Sequence, residues 1–200
     1  MLFNYYYFIF LFLPIALAVY YVINYVNQNR AANIFLIIMS LWFYGYFNPS
    51  YLPIICGSIV VNFLLAKAME YFSEKPGIKK SILISGLFIN IAVIFYFKYF
   101  DFFLENINTL FRQSFELKNI LLPLGISFFT FQQISYLVDS YRGETKGYSF
   151  DEYALFVSFF PQLIAGPIVL HNETIPQFRK PENRRINYEN FSSGMYIFAL

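Results

Sequence analysis

The sequence predicts an all-α polytopic membrane protein. Hydrophobic residues make up 58% of its 200 residues and charged residues only 13%, whereas a soluble domain carries about 25% charged residues. Residues 1–29 and 31–66 contain no charged side chain, and each run exceeds the roughly 20 residues that cross the hydrocarbon core of a bilayer. Because so few hydrophilic groups are available to face water, most of the surface must face lipid.

Composition also limits the partners. The net charge is only +2, and the basic residues are spread through loops, so we expect no nucleic-acid partner. Cys56 is the one cysteine and cannot form an intramolecular disulfide. The sequence contains no cluster of histidine and cysteine typical of a metal site, and we expect neither a metal nor a bound cofactor.

Five apolar segments are expected to cross the membrane, at about residues 2–26, 31–47, 51–67, 81–98 and 120–139. The first resembles a signal peptide at Ala16-Leu17-Ala18, but no Lys or Arg precedes it, so we interpret it as an uncleaved helix. Residues 31–66 would form a helix about 54 Å long, whereas the hydrocarbon core is only about 30 Å thick. The chain must therefore fold back once, in the region marked by Gly45, Asn48, Pro49 and Pro53.

An interfacial helix is expected after the fourth span. Residues 100–113 combine charged side chains with apolar ones at helical spacing, which is typical of helices lying at the membrane surface. A further helix is expected at about residues 188–200. It is still apolar at Leu200, so we expect the natural chain to be longer.

A short re-entrant helix is expected at about residues 150–167. Ser149 and Glu152 form a capping-box pattern at its start, and Pro161 and Gly166-Pro167 interrupt it. It is too short for an easy crossing. Because irregular backbone at membrane depth must be buried in protein or line a watery cavity, this segment predicts a cavity beside it.

The distribution of basic residues predicts the orientation. With the N-terminus outside, the cytoplasmic side receives Arg30, Lys67, Lys75, Lys79, Lys80, Arg142 and Lys146. The outer side receives Lys98, Arg112 and Lys118. Four further basic residues would lie outside if residues 153–167 crossed the membrane fully and inside if that segment is re-entrant, as we expect: Arg179, Lys180, Arg184 and Arg185. Since short cytoplasmic loops are enriched in Lys and Arg, we expect a multi-pass protein of the inner (plasma) membrane with its N-terminus outside.

The fifth predicted span carries a polar stripe. Gly125, Gln132, Tyr136 and Asp139 lie within about 60° of one another on a helix of 100° per residue. Polar groups in a membrane helix usually face the bundle interior or a watery cavity, so the stripe either lines a tunnel or joins neighbouring helices through hydrogen bonds. Asp139 and Arg142 are spaced to form an ion pair at the helix end.

Two further polar residues are candidates. Gln162, beside the Gly166-Pro167 break, either lines a bend in the tunnel or belongs to a helix terminator. His171 is the only histidine and could serve as a general base. It lies in a polar stretch without a serine or cysteine nucleophile motif, so we expect a solvated or capping histidine.

Several motifs together resemble one family. They are residues 1–14 (MLFNYYYFIFLFLP), 42–46 (WFYGY), 96–100 (YFKYF), 122–143 (LPLGISFFTFQQISYLVDSYRG) and 159–169 (FFPQLIAGPIV). They resemble the bacterial branch of the membrane-bound O-acyltransferase family, which includes alginate and peptidoglycan O-acetylation proteins. The resemblance covers the whole chain, which corresponds to about the N-terminal half of one transmembrane domain.

This resemblance implies a fold and a reaction. Tilted helices surround a central funnel, and an acyl thioester, acetyl-CoA or another, approaches from the cytoplasm. The acyl group passes to a hydroxyl of a cell-envelope polysaccharide, with an extracytoplasmic partner protein. The base in the family is a histidine within a Trp-Arg-Arg-Trp-His stretch, which this sequence lacks, so it would lie beyond Leu200. The resemblance assigns no catalytic residue here, and Gln132, Tyr136, Asp139 and Gln162 are the tunnel-lining candidates.

Two other functions remain open from the sequence. A transporter or flippase subunit, which moves acyl groups or lipid-linked sugars, also uses broken helices and polar stripes. Such proteins contain internal repeats, and no repeat is visible in these residues. A purely structural membrane subunit is the third possibility.

Overall fold

A computed structural model describes residues 5–26, 28–163, 166 and 169–199. The described part of the chain is helical and contains no strand. The α-helices are α1 (Leu13–Tyr25), α2 (Asn29–Phe47), α3 (Leu52–Tyr71), α4 (Pro76–Ile94), α5 (Phe100–Phe111), α6 (Ile126–Arg142), α7 (Phe150–Ser158), α8 (Phe160–Leu163), α9 (His171–Arg179) and α10 (Tyr188–Ala199).

Four helical segments in the described residues are long and apolar enough to cross a membrane: Phe8–Tyr25, Asn29–Phe47, Pro49–Tyr71 and Pro76–Phe111. Each contains at least 18 residues, so its helical length approaches the thickness of the hydrocarbon core. The predicted class, an all-α polytopic membrane protein, is confirmed.

The expected fold-back lies at Asn48 and Pro49. Helix α2 ends at Phe47, where Asn48 adopts an extended conformation and its side-chain oxygen accepts a hydrogen bond from the Ser50 N–H at 3.0 Å. Pro49 begins a 3-10 turn that leads into α3. Proline suits this position because the first residues of a helix have no intrahelical partner for their N–H groups.

Helices α4 and α5 form one continuous run through a π-helical turn at Phe95–Tyr99. The segment expected to form an interfacial helix is helical as α5, and none of the α5 residues is buried. Its position at the membrane surface remains a prediction. Arg112 ends α5 in the left-handed conformation, with φ 51°.

The expected fifth span begins later than the sequence predicts. Residues 113–125 are not helical, and α6 starts at Ile126 after Gly125, which has φ 70°. A Cβ atom on Gly125 would lie 2.6 Å from the carbonyl oxygen of Leu163, so this close approach requires glycine. Helix α6 has 17 residues, and its passage through the membrane remains a prediction.

Helix α6 lies at the centre of the packing. It contacts α3 and α4 extensively, and the fully buried Phe129 and Leu137 belong to the main hydrophobic core. Gly86 of α4 allows the closest approach, since a Cβ there would lie 2.9 Å from a methyl group of Leu137. These contacts place the polar stripe of α6 inside the protein.

The expected helix at residues 150–167 is divided. Its start is confirmed, because the Ser149 N–H donates to Glu152 Oε2 at 2.9 Å in a capping box. Helix α7 then ends at Ser158, and α8 begins at Phe160. The cause is Pro161, which lacks an N–H and would clash with a helical carbonyl four residues earlier.

The re-entrant turn itself falls partly outside the described residues, since residues 164, 165, 167 and 168 are not described. Gly166 is described, and its N–H donates to the Gln162 carbonyl at 3.0 Å. A Cβ atom on Gly166 would lie 2.7 Å from the Gln162 Cα. Glycine is therefore required for this approach, while re-entry remains a prediction.

Helix α9 was not predicted. It occupies the polar stretch from His171 to Arg179 and contains Pro176, two features that obscure a helical pattern in the sequence. It packs on α7, where Arg179 Nη2 donates to Glu152 Oε2 at 2.7 Å. The arginine also lies over the Tyr148 ring, 5.1 Å from its centroid.

Candidate functional site

The most distinctive polar contact joins α6 to α9. His171 Nε2 lies 3.1 Å from Asp139 Oδ2, although the two residues are 32 positions apart in the sequence. The His171 side chain is 1% exposed and that of Asp139 is 14% exposed. A carboxylate so largely removed from water needs a hydrogen-bonding partner, because leaving it unpaired would cost much of its desolvation penalty.

The expectation of a solvated or capping histidine was therefore wrong. His171 is the first residue of α9, and Leu170 occupies the cap position. The rings of Tyr136 and Tyr148 pack against the imidazole edge-on, each with centroids 5.5 Å away. Aromatic walls and the Asp139 carboxylate hold the ring in the interior. A polar local sequence could not reveal a partner on another helix.

One atom of this pair is unusual. His171 Nδ1 is buried and has no hydrogen-bond partner among the described residues. Since buried polar groups are nearly always hydrogen-bonded, this nitrogen is the imidazole atom that the described residues leave unsatisfied. We interpret the contact between His171 and Asp139 as a structural link between α9 and α6, and not as an exposed general base.

Asp139 also contacts Arg142. Arg142 Nη1 lies 3.6 Å from Asp139 Oδ1, and the arginine side chain is 63% exposed. The predicted ion pair at the helix end is thus confirmed. Ser135 Oγ lies 3.5 Å from Asp139 Oδ2. A single carboxylate therefore connects an exposed guanidinium to a buried imidazole.

The other residues of the stripe are buried. Gln132 is 4% and Tyr136 2% exposed, and the Tyr136 ring packs 4.3 Å from the Tyr153 ring. Gly125 instead forms the start of α6 against Leu163. The structure therefore brings Tyr136, Asp139 and His171 together, and whether the stripe lines a tunnel remains a prediction.

Gln162 lies apart from the stripe residues, in α8. Its side chain is half-buried, and its carbonyl accepts the Gly166 N–H. It lies at the bend that the sequence predicts, and its lining role also remains a prediction.

A second polar cluster was missed by the sequence analysis. Asn62 Nδ2 donates to Gln133 Oε1 at 2.8 Å, and Asn90 Nδ2 donates to Asn62 Oδ1 at 2.6 Å. Ser58 Oγ hydrogen-bonds to the same Gln133 oxygen. This cluster links α6 to α3 and α4, two of the helices that are long and apolar enough to cross a membrane. Its signal was an asparagine within each of two apolar runs, because such residues usually bond across helices.

A polar cavity of about 270 Å³ lies beside the exposed end of α6. Ser140 and Arg142 line it together with Glu70 of α3 and Lys79 of α4. Ser140, which lines the cavity, follows Asp139 in the sequence, but Asp139 itself does not line the cavity. Among the described residues, no group of three His, Cys, Asp or Glu side chains could hold a metal ion.

These features define an all-α polytopic membrane protein with a buried carboxylate–histidine junction between two helices. The sequence model of the membrane-bound O-acyltransferase family matches residues 41–200. The chain belongs to this family.

Two relatives illustrate the similarity. The peptidoglycan O-acetyltransferase of Helicobacter pylori is 40% identical over an alignment of 227 residues, which covers 100% of this chain and 43% of that protein. A protein of Pseudomonas aeruginosa named "probable alginate O-acetylase AlgI" is 34% identical over 196 residues, which covers 96% of this chain and 36% of that protein.

The chain thus spans less than half the length of these relatives. The comparison with solved structures gave no match.

Proposed function

We propose that this chain is part of an O-acyltransferase that modifies a cell-envelope polysaccharide. The similarity to the peptidoglycan O-acetyltransferase supports this most strongly, because it extends over the whole chain at 40% identity. The donor is a cytoplasmic acyl thioester, with acetyl-CoA the first candidate. The acceptor is a hydroxyl group of the polysaccharide.

The reaction has a simple balance. A base takes the acceptor proton as the hydroxyl oxygen attacks the thioester carbonyl, and hydrogen-bond donors stabilise the oxyanion. The new C–O bond forms, the C–S bond breaks, and the thiolate leaves and takes up a proton. The base is a histidine outside this chain. His171 does not fit that role, because its side chain is 1% exposed and its second ring nitrogen, Nδ1, is also buried.

In this proposal the chain supplies walls and positioning. Gln132, Tyr136, Asp139 and Gln162 remain the lining candidates. Asp139 is the best supported of them, because its carboxylate keeps 14% exposure while it pairs with Arg142 and His171. The protein lies in the inner membrane with its N-terminus outside, and a partner protein outside the membrane presents the acceptor.

Family membership favours acyl transfer over a transporter or flippase. In acyl transfer the acyl group becomes esterified to the polysaccharide, whereas in transport it crosses the membrane without forming an ester. Cells that lack the complete protein should lose ester-linked acetate from the envelope polysaccharide. The purified protein, given acetyl-CoA labelled in the acetyl group and an acceptor glycan, should yield labelled ester. Label that crosses a proteoliposome membrane without ester formation would instead support transport.

Replacement of Asp139 with Asn in the complete protein tests the contribution of this chain. We expect the acetate content of the envelope polysaccharide to fall at least tenfold while the protein remains in the membrane. Glu105→Gln on the exposed α5 is the matched control, since it removes the same charge away from the junction. Unchanged acetylation in Asp139→Asn at normal abundance would exclude a role for this carboxylate.

A further inference from the structure

An elongated apolar slot opens between α1 and the α8–α9 region. It has a volume of about 330 Å³ and is lined by residues that include Leu13, Leu17, Tyr21, Phe159 and Phe178. Leu13 and Tyr21 are eight residues apart on α1, so the slot runs about 12 Å along the helix. Its walls are mainly aliphatic and aromatic, with Thr174, Gln177 and Asn183 as the polar members.

A second, larger recess of about 770 Å³ shares Tyr21 with the slot. This recess is lined by residues that include Asn24, Tyr25, Arg184 and Arg185, and none of the described residues that line it carries a carboxylate. The end of the first apolar helix is near, since α1 stops at Tyr25. Tyrosine and arginine at such an end are typical of the level of the lipid head groups.

Hydrogen bonds fix the position of Arg184 in the recess. Its Nε and Nη2 atoms donate to the Phe178 carbonyl at 3.1 and 2.9 Å. The same Phe178 lines the slot, so one residue positions both the apolar wall and the cation. Nη1 takes no part in these bonds. Arg185 is exposed beside it.

We propose that the slot and recess together bind one anionic phospholipid, with an acyl chain in the slot and the phosphate at Arg184 and Arg185. The charge of the recess complements a phosphate, and a basic pocket beside membrane helices is a recurrent site for anionic head groups. The apolar slot distinguishes a lipid from a free anion, because inorganic phosphate gains nothing from apolar walls.

The test uses the natural full-length protein in mild detergent and native mass spectrometry with added phosphatidylglycerol or phosphatidylcholine. We expect phosphatidylglycerol to be retained in preference to phosphatidylcholine. The double variant Arg184→Gln/Arg185→Gln should bind phosphatidylglycerol about 30-fold more weakly, since each basic residue contributes about 1 kcal/mol. The control Lys75→Gln/Lys80→Gln removes the same charge at exposed positions outside the recess and should bind normally.

A second variant tests the slot. Leu17 is 37% exposed and lines it, so Leu17→Trp should fill the space and displace the lipid without removing either arginine. Equal retention of both lipids, or normal binding by both variants, would overturn the proposal. Absence of any retained lipid in the unaltered protein would overturn it as well. Displacement by millimolar inorganic phosphate would identify a free-anion site instead.

Discussion

The imidazole of His171 and the carboxylate of Asp139 meet at 3.1 Å, although they belong to different helices. His171 begins α9, and Asp139 lies in the last turn of α6. Because the imidazole is buried, this contact fixes where α9 docks.

Replacement of His171 with Phe tests the contact, because it keeps a ring between Tyr136 and Tyr148 and removes the hydrogen bond. We expect a loss of about 1–3 kcal/mol of stability, since the carboxylate loses a buried partner. Thermal unfolding in detergent would measure it. The control Glu173→Gln lies on the same helix at an exposed position and should change stability by less than about 0.5 kcal/mol.

A double-mutant cycle separates this contact from general damage. His171→Phe, Asp139→Asn and the double variant should show a coupling of about 0.5–3 kcal/mol, as contacting residues do. Additive losses would mean that the two side chains stabilise the protein independently.

The buried amide cluster should contribute to helix association. Asn90→Ala removes the donor to Asn62 and leaves a buried amide oxygen without that bond. We expect a loss of about 1 kcal/mol, the usual scale for polar contacts between membrane helices. Asn106→Ala on exposed α5 is the control, and an equal change in both variants would argue against a role for the cluster.

Gly125 should tolerate no side chain. Its φ of 70° already disfavours other residues by about 1–2 kcal/mol, and a Cβ would approach the Leu163 carbonyl to 2.6 Å. We therefore expect Gly125→Ala to lower stability by at least about 2 kcal/mol. Gly57→Ala is the control. Gly57 lies within α3 with open space around it, so alanine there should stabilise the helix by about 0.5–1 kcal/mol.

The contact between Glu152 and Arg179 predicts a dependence on pH. Burial favours the neutral form of Glu152, but hydrogen bonds from Arg179 and Ser149 outweigh it and lower the pKa of Glu152 below its ordinary 4.5. A lowered pKa in the folded state contributes stability that is complete above pH 4.5 and is lost as the pH falls through the folded value.

Arg179→Gln should remove most of that dependence. We expect it to cost about 1 kcal/mol near neutral pH, a value kept small by the exposure of the arginine. Its stability should also change less with pH below 4.5 than that of the unaltered protein. Thermal midpoints recorded from pH 3 to pH 7 would show both effects, and parallel profiles for the two proteins would contradict this account.

The sequence predicted the features that depend on local chemistry. Long apolar runs indicated the helical membrane class, Asn48 and Pro49 indicated the fold-back, and Ser149 with Glu152 indicated the start of α7. It did not predict α9, because charged side chains and Pro176 obscure the helix. It placed His171 in water because the Asp139 carboxylate and the tyrosine rings that bury it come from distant parts of the chain.

The hydrogen bonds of Asp101 bear on how deeply the chain lies in the membrane. Its two carboxylate oxygens accept the N–H groups of Lys118 and Ile120, each at 2.9 Å, and thereby fasten the non-helical stretch at residues 113–122 to α5. Unpaired peptide groups are not tolerated in hydrocarbon, so we expect this fastened stretch to lie at the membrane surface, where water can satisfy its remaining peptide groups. We therefore expect it to limit how deeply the first residues of the adjoining α6 can enter the bilayer.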